Sequence, residues 1–158
     1  MHEKVEVPDL YGTVGYTHAV MAGDILFTSG IVARDGAGQT VGKGDFEAQA
    51  HRVYENLGVV LKAAGATWDD VAKYSACVAR AEDWERSRVI HHGYLPRGGS
   101  AGATIVAPLM DPELLYELDV IAHVGGSKQY LPGAVKVDGT IYLDAQEGAS
   151  GELGTQVE

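Results

Sequence analysis

The sequence has very little cysteine and few basic side chains, and each shortage excludes a class of function. The single cysteine, Cys77, excludes an internal disulfide and any metal site built from several cysteines. Only 12 lysines and arginines stand against 22 aspartates and glutamates, which gives a net charge of −10. Because nucleic acids and anionic membranes both attract clustered lysine and arginine, neither is expected as a partner.

Long apolar runs are also missing from the sequence. No stretch approaches the roughly 18 apolar residues that a membrane-spanning helix requires. The segment after Met1 lacks the apolar region of a signal peptide. We therefore expect a soluble, cytoplasmic protein, and the 158 residues are enough to bury a sizeable core.

Glycine and capping residues divide the chain into an ordered series of elements. A tight turn at Gly23 joins two predicted strands, 16–21 and 25–30. Asp45 and Gly65 are suited to begin and end a long amphipathic helix. The later pattern predicts a strand at 71–81, a helix at about 83–92, and strands at 103–107 and 114–124. This β-β-α-β-α-β-β order predicts an α+β fold, with both helices on one face of a mixed sheet.

The last 34 residues form a separate pattern, which predicts a boundary between residues 1–124 and 125–158. Gly125, Gly126 and Ser127 read as a linker, and Asp138-Gly139 predicts a two-residue turn in a C-terminal β-hairpin. This hairpin is similar in sequence to the opening one. It is either the start of a truncated second repeat or a chance similarity between two hairpins.

Four segments at fixed spacing carry a family resemblance: residues 25–30, 44–50, 56–66 and 116–122. From about residue 10 to residue 124 the chain resembles the YjgF/Rid family of small enamine/imine deaminases. The resemblance implies a chorismate-mutase-like α+β domain. It also implies a homotrimer whose clefts for a small-molecule substrate lie between neighbouring subunits, and no cofactor or metal is expected.

The resemblance also assigns roles to individual residues. Glu117 matches a glutamate that positions water or moves a proton, and is the expected catalytic residue. The family's carboxylate-binding arginine falls on Gly102, where glycine cannot form the two charge-assisted hydrogen bonds of a guanidinium. The remaining positions expected to line or bind substrate are Tyr16, Ser29, Arg88, His91 and Thr104.

Three of these residues have alternative interpretations. Glu117 is either buried, with a raised pKa suited to acid/base work, or exposed on the outer face of its strand. Arg88 either anchors an anion in place of the missing arginine or forms a surface pair with Glu85 or Asp83. His91 is either an acid/base group or part of a solvated helix end.

These residues favour an enzyme that acts on a small imine, enamine or related activated carbonyl intermediate, in a biosynthetic or catabolic pathway. Hydrolytic deamination and other proton transfers (cyclisation, isomerisation, elimination) would use the same groups. The alternative is a non-catalytic small-ligand-binding or assembly protein on the same scaffold, which loss of the arginine would also suit.

Overall fold

The computed structural model describes residues 1–95, 99–126, 134–137 and 140–143. The chain divides into two compact units, Met1–Ser127 and Lys128–Glu158. Among the described helices, none is long and apolar enough to cross a membrane. In the second unit, β8 (Ala134–Val137) pairs antiparallel with β9 (Thr140–Leu143), as the sequence predicts. The interpretation of this unit as a second repeat stays a prediction.

Within the described residues, the first unit is a seven-stranded sheet with two α-helices. The bounds are β1 Glu3–Lys4, β2 Ala19–Ala22, β3 Ile25–Thr28, β4 Ile31–Val32, α1 Phe46–Ala63, β5 Val71–Val78, α2 Trp84–Tyr94, β6 Ala101–Val106 and β7 Tyr116–His123. Along the sheet the strands follow the order β1-β2-β3-β7-β5-β6, and β4 pairs with β7. The β5–β6 pair is parallel and the β5–β7 pair is antiparallel, so the sheet is mixed, as predicted.

Helix α1 begins and ends where its capping residues predict. The Asp45 carboxylate accepts a hydrogen bond from the Ala48 backbone N–H at 3.1 Å, and Gly65 takes the left-handed conformation with φ +72°. The Asp45 cap provides a partner for a backbone N–H at the start of the helix, and the left-handed Gly65 turns the chain at its end. Between the two, apolar residues recur along one side of the helix and form a single stripe. The fully buried apolar members of that stripe are Phe46, Ala50, Val53, Tyr54, Leu57 and Val60.

The alternating burial of side chains along β7 distinguishes the two faces of the sheet. The even-numbered residues of the strand, from Tyr116 to Ala122, are buried against the helices, and its odd-numbered residues are only half-buried. We call the side with the even-numbered residues the helix face. We call the side with the odd-numbered residues the open face, because neither described helix covers that side. Since side chains alternate along a strand, Glu117 lies on the open face.

Helix α2 is fixed at its start by a buried carboxylate. Asp83 is fully buried, accepts a hydrogen bond from Arg80 Nε at 2.6 Å, and also pairs with Arg86. The Arg86 guanidinium lies 5.6 Å from the ring centroid of Phe46 on α1. Two charged partners offset the cost of burying Asp83, and they tie α2 to α1. The helix continues to Tyr94, one residue past the predicted stop at Gly93, and Gly93 lies within it.

The buried side chain of Gln49 holds the segment that leads into β7. Its Nε2 donates to the carbonyl oxygens of Gly42 (3.2 Å) and Glu113 (2.7 Å), and its Oε1 accepts from the Leu115 N–H at 2.8 Å. The amide therefore acts as an extra strand neighbour for residues 113–115. This contact sets the position at which Tyr116 and Glu117 enter the sheet.

Replacing Gln49 by Met should destabilise the fold while keeping the size of the side chain. Three backbone groups would lose their partners, of which the Leu115 N–H is buried and the other two are part-buried, and the expected loss in the free energy of unfolding is about 2 kcal/mol. Urea unfolding measures it. Lys62→Met on the exposed side of the same helix is the matched control and should change stability little. Equal losses in the two variants would contradict the assigned role of Gln49.

Candidate functional site

Glu117 lies on the open face, between Val32 of β4 and Cys77 of β5. Its side chain is half-buried. Burial raises the pKa of its carboxyl, and the like charge of Asp119 raises it further. The two interpretations of Glu117 therefore combine: the residue faces away from the main core, yet part of its surface is removed from water.

Space for the Glu117 carboxyl is provided by a glycine. Between β3 and β4 the backbone pairing with β7 is interrupted. Here the Thr28 hydroxyl, not a backbone carbonyl, accepts a hydrogen bond from the Val120 N–H at 2.9 Å. Gly30 follows this break. A Cβ atom on Gly30 would lie 2.3 Å from Glu117 Oε1, so the carboxyl group rests directly on the glycine.

A buried tyrosine lies near this carboxyl and packs against a buried histidine. The Tyr11 ring packs with Val32 and Leu114, and its edge meets the His18 ring at 4.7 Å. Neither the Tyr11 hydroxyl nor His18 Nδ1 makes a hydrogen bond of normal geometry within the described residues. Buried polar atoms without a well-formed hydrogen bond are uncommon and costly, so these two single out this part of the open face.

The pKa of the Tyr11 phenol depends in part on Glu117. Burial raises this pKa, and the nearby Tyr16 and Glu117 raise it as well. The Val32 backbone and Arg34 oppose that shift. Tyr11 was missed by sequence reasoning because a tyrosine in an N-terminal loop carries no motif, and its neighbour Glu117 is more than 100 residues away.

The two residues predicted from the first hairpin lie in this neighbourhood. Tyr16 is 51% exposed, and its ring centroid is 6.3 Å from that of His18. Ser29 immediately precedes Gly30, and its hydroxyl donates to the Thr17 carbonyl oxygen at 2.6 Å. We call Tyr11, Tyr16, His18, Ser29 and Glu117 the Glu117 cluster.

A second group of predicted residues lies on the helix face. Gly102 and Thr104 of β6 are in register with Tyr74 and Ala76 of β5, whose side chains point toward the helices. His91 of α2 contacts the Tyr74 ring at a centroid distance of 4.1 Å. We call Tyr74, His91, Gly102 and Thr104 the Gly102 cluster.

His91 is buried and joined to the core. Its Nδ1 lies 2.8 Å from the hydroxyl of Tyr54, which is 3.0 Å from the hydroxyl of Tyr116. Burial lowers the pKa of His91 to about 4, with a further contribution from His92. The imidazole is therefore neutral near pH 7, with one nitrogen engaged by Tyr54.

Arg88 forms an ion pair on α2, three residues before His91. Its guanidinium is exposed and pairs with Glu85, where Nε is 3.3 Å from Oε2. The Glu85 hydrogen bond and charge raise the pKa of Arg88. This arrangement is the surface pair of the second interpretation, and a role for Arg88 in anchoring an anion stays a prediction.

The two clusters lie on opposite faces of one sheet. Glu117 shares the open face with Cys77, whereas Gly102 shares the helix face with Tyr74. One small substrate cannot touch both clusters of the same chain. Among the residues that the structure describes, no group of three or more His, Cys, Asp or Glu side chains is arranged to hold a metal ion.

This geometry can be compared with known proteins. The endoribonuclease L-PSP family matches residues 9–124. The chain is a member of this family, which includes the YjgF/Rid proteins. A RutC family protein of Synechocystis sp. is 32% identical over 109 residues, which cover 68% of this chain and 84% of the relative. A RutC family protein of Saccharolobus solfataricus is 33% identical over 109 residues, which cover 68% and 86%.

Solved structures of family members share the fold. The crystal structure of a putative endoribonuclease L-PSP from Entamoeba histolytica superposes with a TM-score of 0.72 at 26% identity, covering 78% of this chain and 99% of that chain. A protein of unknown function of the conserved Rid family from Yersinia pestis gives the same TM-score and identity, covering 78% and 100%. The predicted YjgF/Rid fold is therefore confirmed.

Replacing Gly30 by Ala should displace the Glu117 carboxyl toward solvent, because the added methyl group would occupy its position. The pKa of Glu117 should then fall toward its ordinary value, since burial is the main cause of the raised value. Carboxyl ¹³C NMR titration measures it. Gly36→Ala, at a glycine with open space around its Cβ position, is the control. An unchanged titration of Glu117 in the Gly30 variant would contradict the assigned contact.

Proposed function

We propose that the protein is an enzyme that acts on a small imine, enamine or related activated carbonyl compound, with Glu117 as the residue that transfers a proton or orients water. The observation that supports this most is the half-buried Glu117 carboxyl with its raised pKa. It lies in the same small region as the buried Tyr11 hydroxyl, whose pKa the Glu117 charge helps to raise. A carboxyl with a raised pKa beside a phenol that stays protonated is suited to proton transfer.

Hydrolysis of an imine illustrates the proposed role. Water adds to the C=N carbon as Glu117 takes one of its protons, and Glu117 then passes that proton to the nitrogen, which gives the neutral carbinolamine and restores the carboxylate. In the second step Glu117 takes the carbinolamine O–H proton and delivers it to the nitrogen as the C–N bond breaks, so that ammonia and the carbonyl product are released. The Tyr11 phenol stays protonated in this scheme, because burial and the nearby Glu117 charge raise its pKa. Isomerisation or elimination would use the same carboxyl to remove and return a proton.

The same reasoning supports an assembly with sites between subunits. Phe27 and Ile105 on the open face are 40% and 61% exposed, so an apolar part of the sheet is uncovered in the single chain. A homotrimer, which the YjgF/Rid resemblance implies, covers this face. It also allows the Glu117 cluster of one subunit to meet the Gly102 cluster of the next, which one chain cannot do.

The word endoribonuclease in the family description does not lead us to propose an RNA substrate. RNA binding depends on lysine and arginine contacts to phosphate, and this chain has a net charge of −10. A small-molecule substrate remains the proposal.

The pH dependence of turnover tests the role of Glu117. Ammonia release from a panel of imines generated in solution is followed for the wild type and variants. Glu117→Gln should reduce turnover by at least ~100-fold. If the ionised carboxylate is the base, activity falls as pH falls through its pKa. Asp119→Asn removes the like charge, lowers the pKa of Glu117, and should move this acidic limb to lower pH.

Asp24→Asn is the control for the Asp119 variant, because Asp24 is an exposed carboxylate that pairs with His123. Its acidic limb should match that of the wild type. Turnover that survives in Glu117→Gln would contradict the catalytic role. If no imine is turned over and the Glu117 variant still binds small ligands normally, the protein is a ligand-binding member of the family.

Subunit mixing tests the interfacial site. Glu117→Gln alters only one cluster, and Gly102→Trp alters only the other. Mixing the two inactive variants and allowing subunits to exchange should restore roughly a quarter of wild-type activity, by random assortment around a cyclic trimer. Mixing Glu117→Gln with the double variant should restore none. A sedimenting mass other than three times the 16.7 kDa chain, or no recovery, would contradict the proposal.

A further inference from the structure

The hydroxyl end of Tyr74 occupies the space above Gly102. A Cβ atom on Gly102 would lie 1.9 Å from Tyr74 Cζ and 2.0 Å from Cε1, far inside van der Waals contact. The ring therefore rests on the glycine backbone and reaches from β5 across to the edge strand β6. Because Tyr74 is only half-buried, its far end is accessible from outside the chain.

The other neighbours of Tyr74 hold this placement. The His91 ring lies 4.1 Å from the Tyr74 ring, with the two planes inclined by 46°. His91 is fixed in turn by its bond to Tyr54, which stacks on Tyr94 at 4.4 Å. Tyr74 is thus held between a glycine that leaves room for it and a buried imidazole that is itself anchored in the core.

The polar groups presented by the Gly102 cluster are neutral. They are the phenol of Tyr74, the hydroxyl of Thr104 and the imidazole of His91. Arg88, three residues before His91 on the same helix, is paired with Glu85. An ionised carboxylate taken out of water needs a cation or several donors to offset its desolvation. A carbonyl, amide or imine needs only a hydrogen bond from a neutral donor.

We propose that Tyr74 is a substrate-binding residue whose hydroxyl hydrogen-bonds an uncharged carbonyl, carboxamide or imine group at Gly102. This inference rests on the proposed function, and it names the substrate class: compounds without a carboxylate at this end. Tyr74 thereby offers one neutral hydrogen bond at the place where an arginine would offer two charge-assisted ones.

Binding of a matched pair of compounds tests this inference without requiring turnover. Pyruvate and pyruvamide differ only in carboxylate against carboxamide, and their affinities are measured by NMR titration. Wild-type protein should bind pyruvamide more tightly than pyruvate. Tyr74→Phe keeps the ring but removes the hydroxyl, so it should weaken pyruvamide binding roughly fivefold and leave pyruvate binding unchanged.

A second variant tests the packing that holds Tyr74. Gly102→Ala should push the ring away from His91, weaken pyruvamide binding as Tyr74→Phe does, and raise the pKa of His91 from about 4 toward 6.5 as the imidazole becomes solvated. Ala101→Gly, the adjacent position on the opposite face, should do neither. A folded Gly102→Ala protein with unchanged His91 titration would contradict this geometry.

The results separate the inference from the proposed function. Tighter binding of pyruvate, equal affinities in the wild type and Tyr74→Phe, or no binding of either compound would overturn the role of Tyr74. Selective pyruvamide binding in a protein that turns over no imine would support Tyr74 and reject the catalytic proposal. Loss of turnover in Glu117→Gln with a silent Tyr74→Phe would have the opposite meaning.

Discussion

The alternation of side chains along β7 is the constraint on which the rest of the domain depends. This strand lies inside the sheet, paired with β5 on one side and with both β3 and β4 on the other. A shift of one residue would exchange its two faces and bury Glu117 and Asp119 under the helices. The Gln49 amide contacts the chain just before the strand begins, so one buried hydrogen-bonding group helps define the register of core and site together.

The larger elements could be predicted because their signals are local. The Asp45 cap, the apolar stripe of α1 and the glycine at position 65 are all read within 20 residues, and the structure confirms them. Strands β1 and β4 have two residues each, too few to show alternation. They exist because neighbouring strands offer backbone partners, which is tertiary information that no local pattern contains.

In the candidate site, side-chain chemistry alone predicted only residues that stand out as acid or base groups. Glu117 stands out as a carboxylate in an apolar strand, but its partial burial depends on Gly30 and on neighbours distant in sequence. His91 could be chosen as an imidazole, yet its neutrality results from burial beside the Tyr54 hydroxyl. Tyr11 and Tyr74 are ordinary tyrosines in the sequence. Their relevance comes from a buried hydroxyl near Glu117 in one case and from a missing Cβ in the other.

The contact between Tyr74 and Gly102 also limits which substitutions this protein can accept at these two positions. An arginine at position 102 is sterically incompatible with the tyrosine as placed, and a small residue at 74 with glycine at 102 would leave a gap beside His91. Either single substitution leaves a clash or a gap, so a change at one position would need a matching change at the other. The ligand preference proposed for Tyr74 would thereby resist reversal by a single substitution.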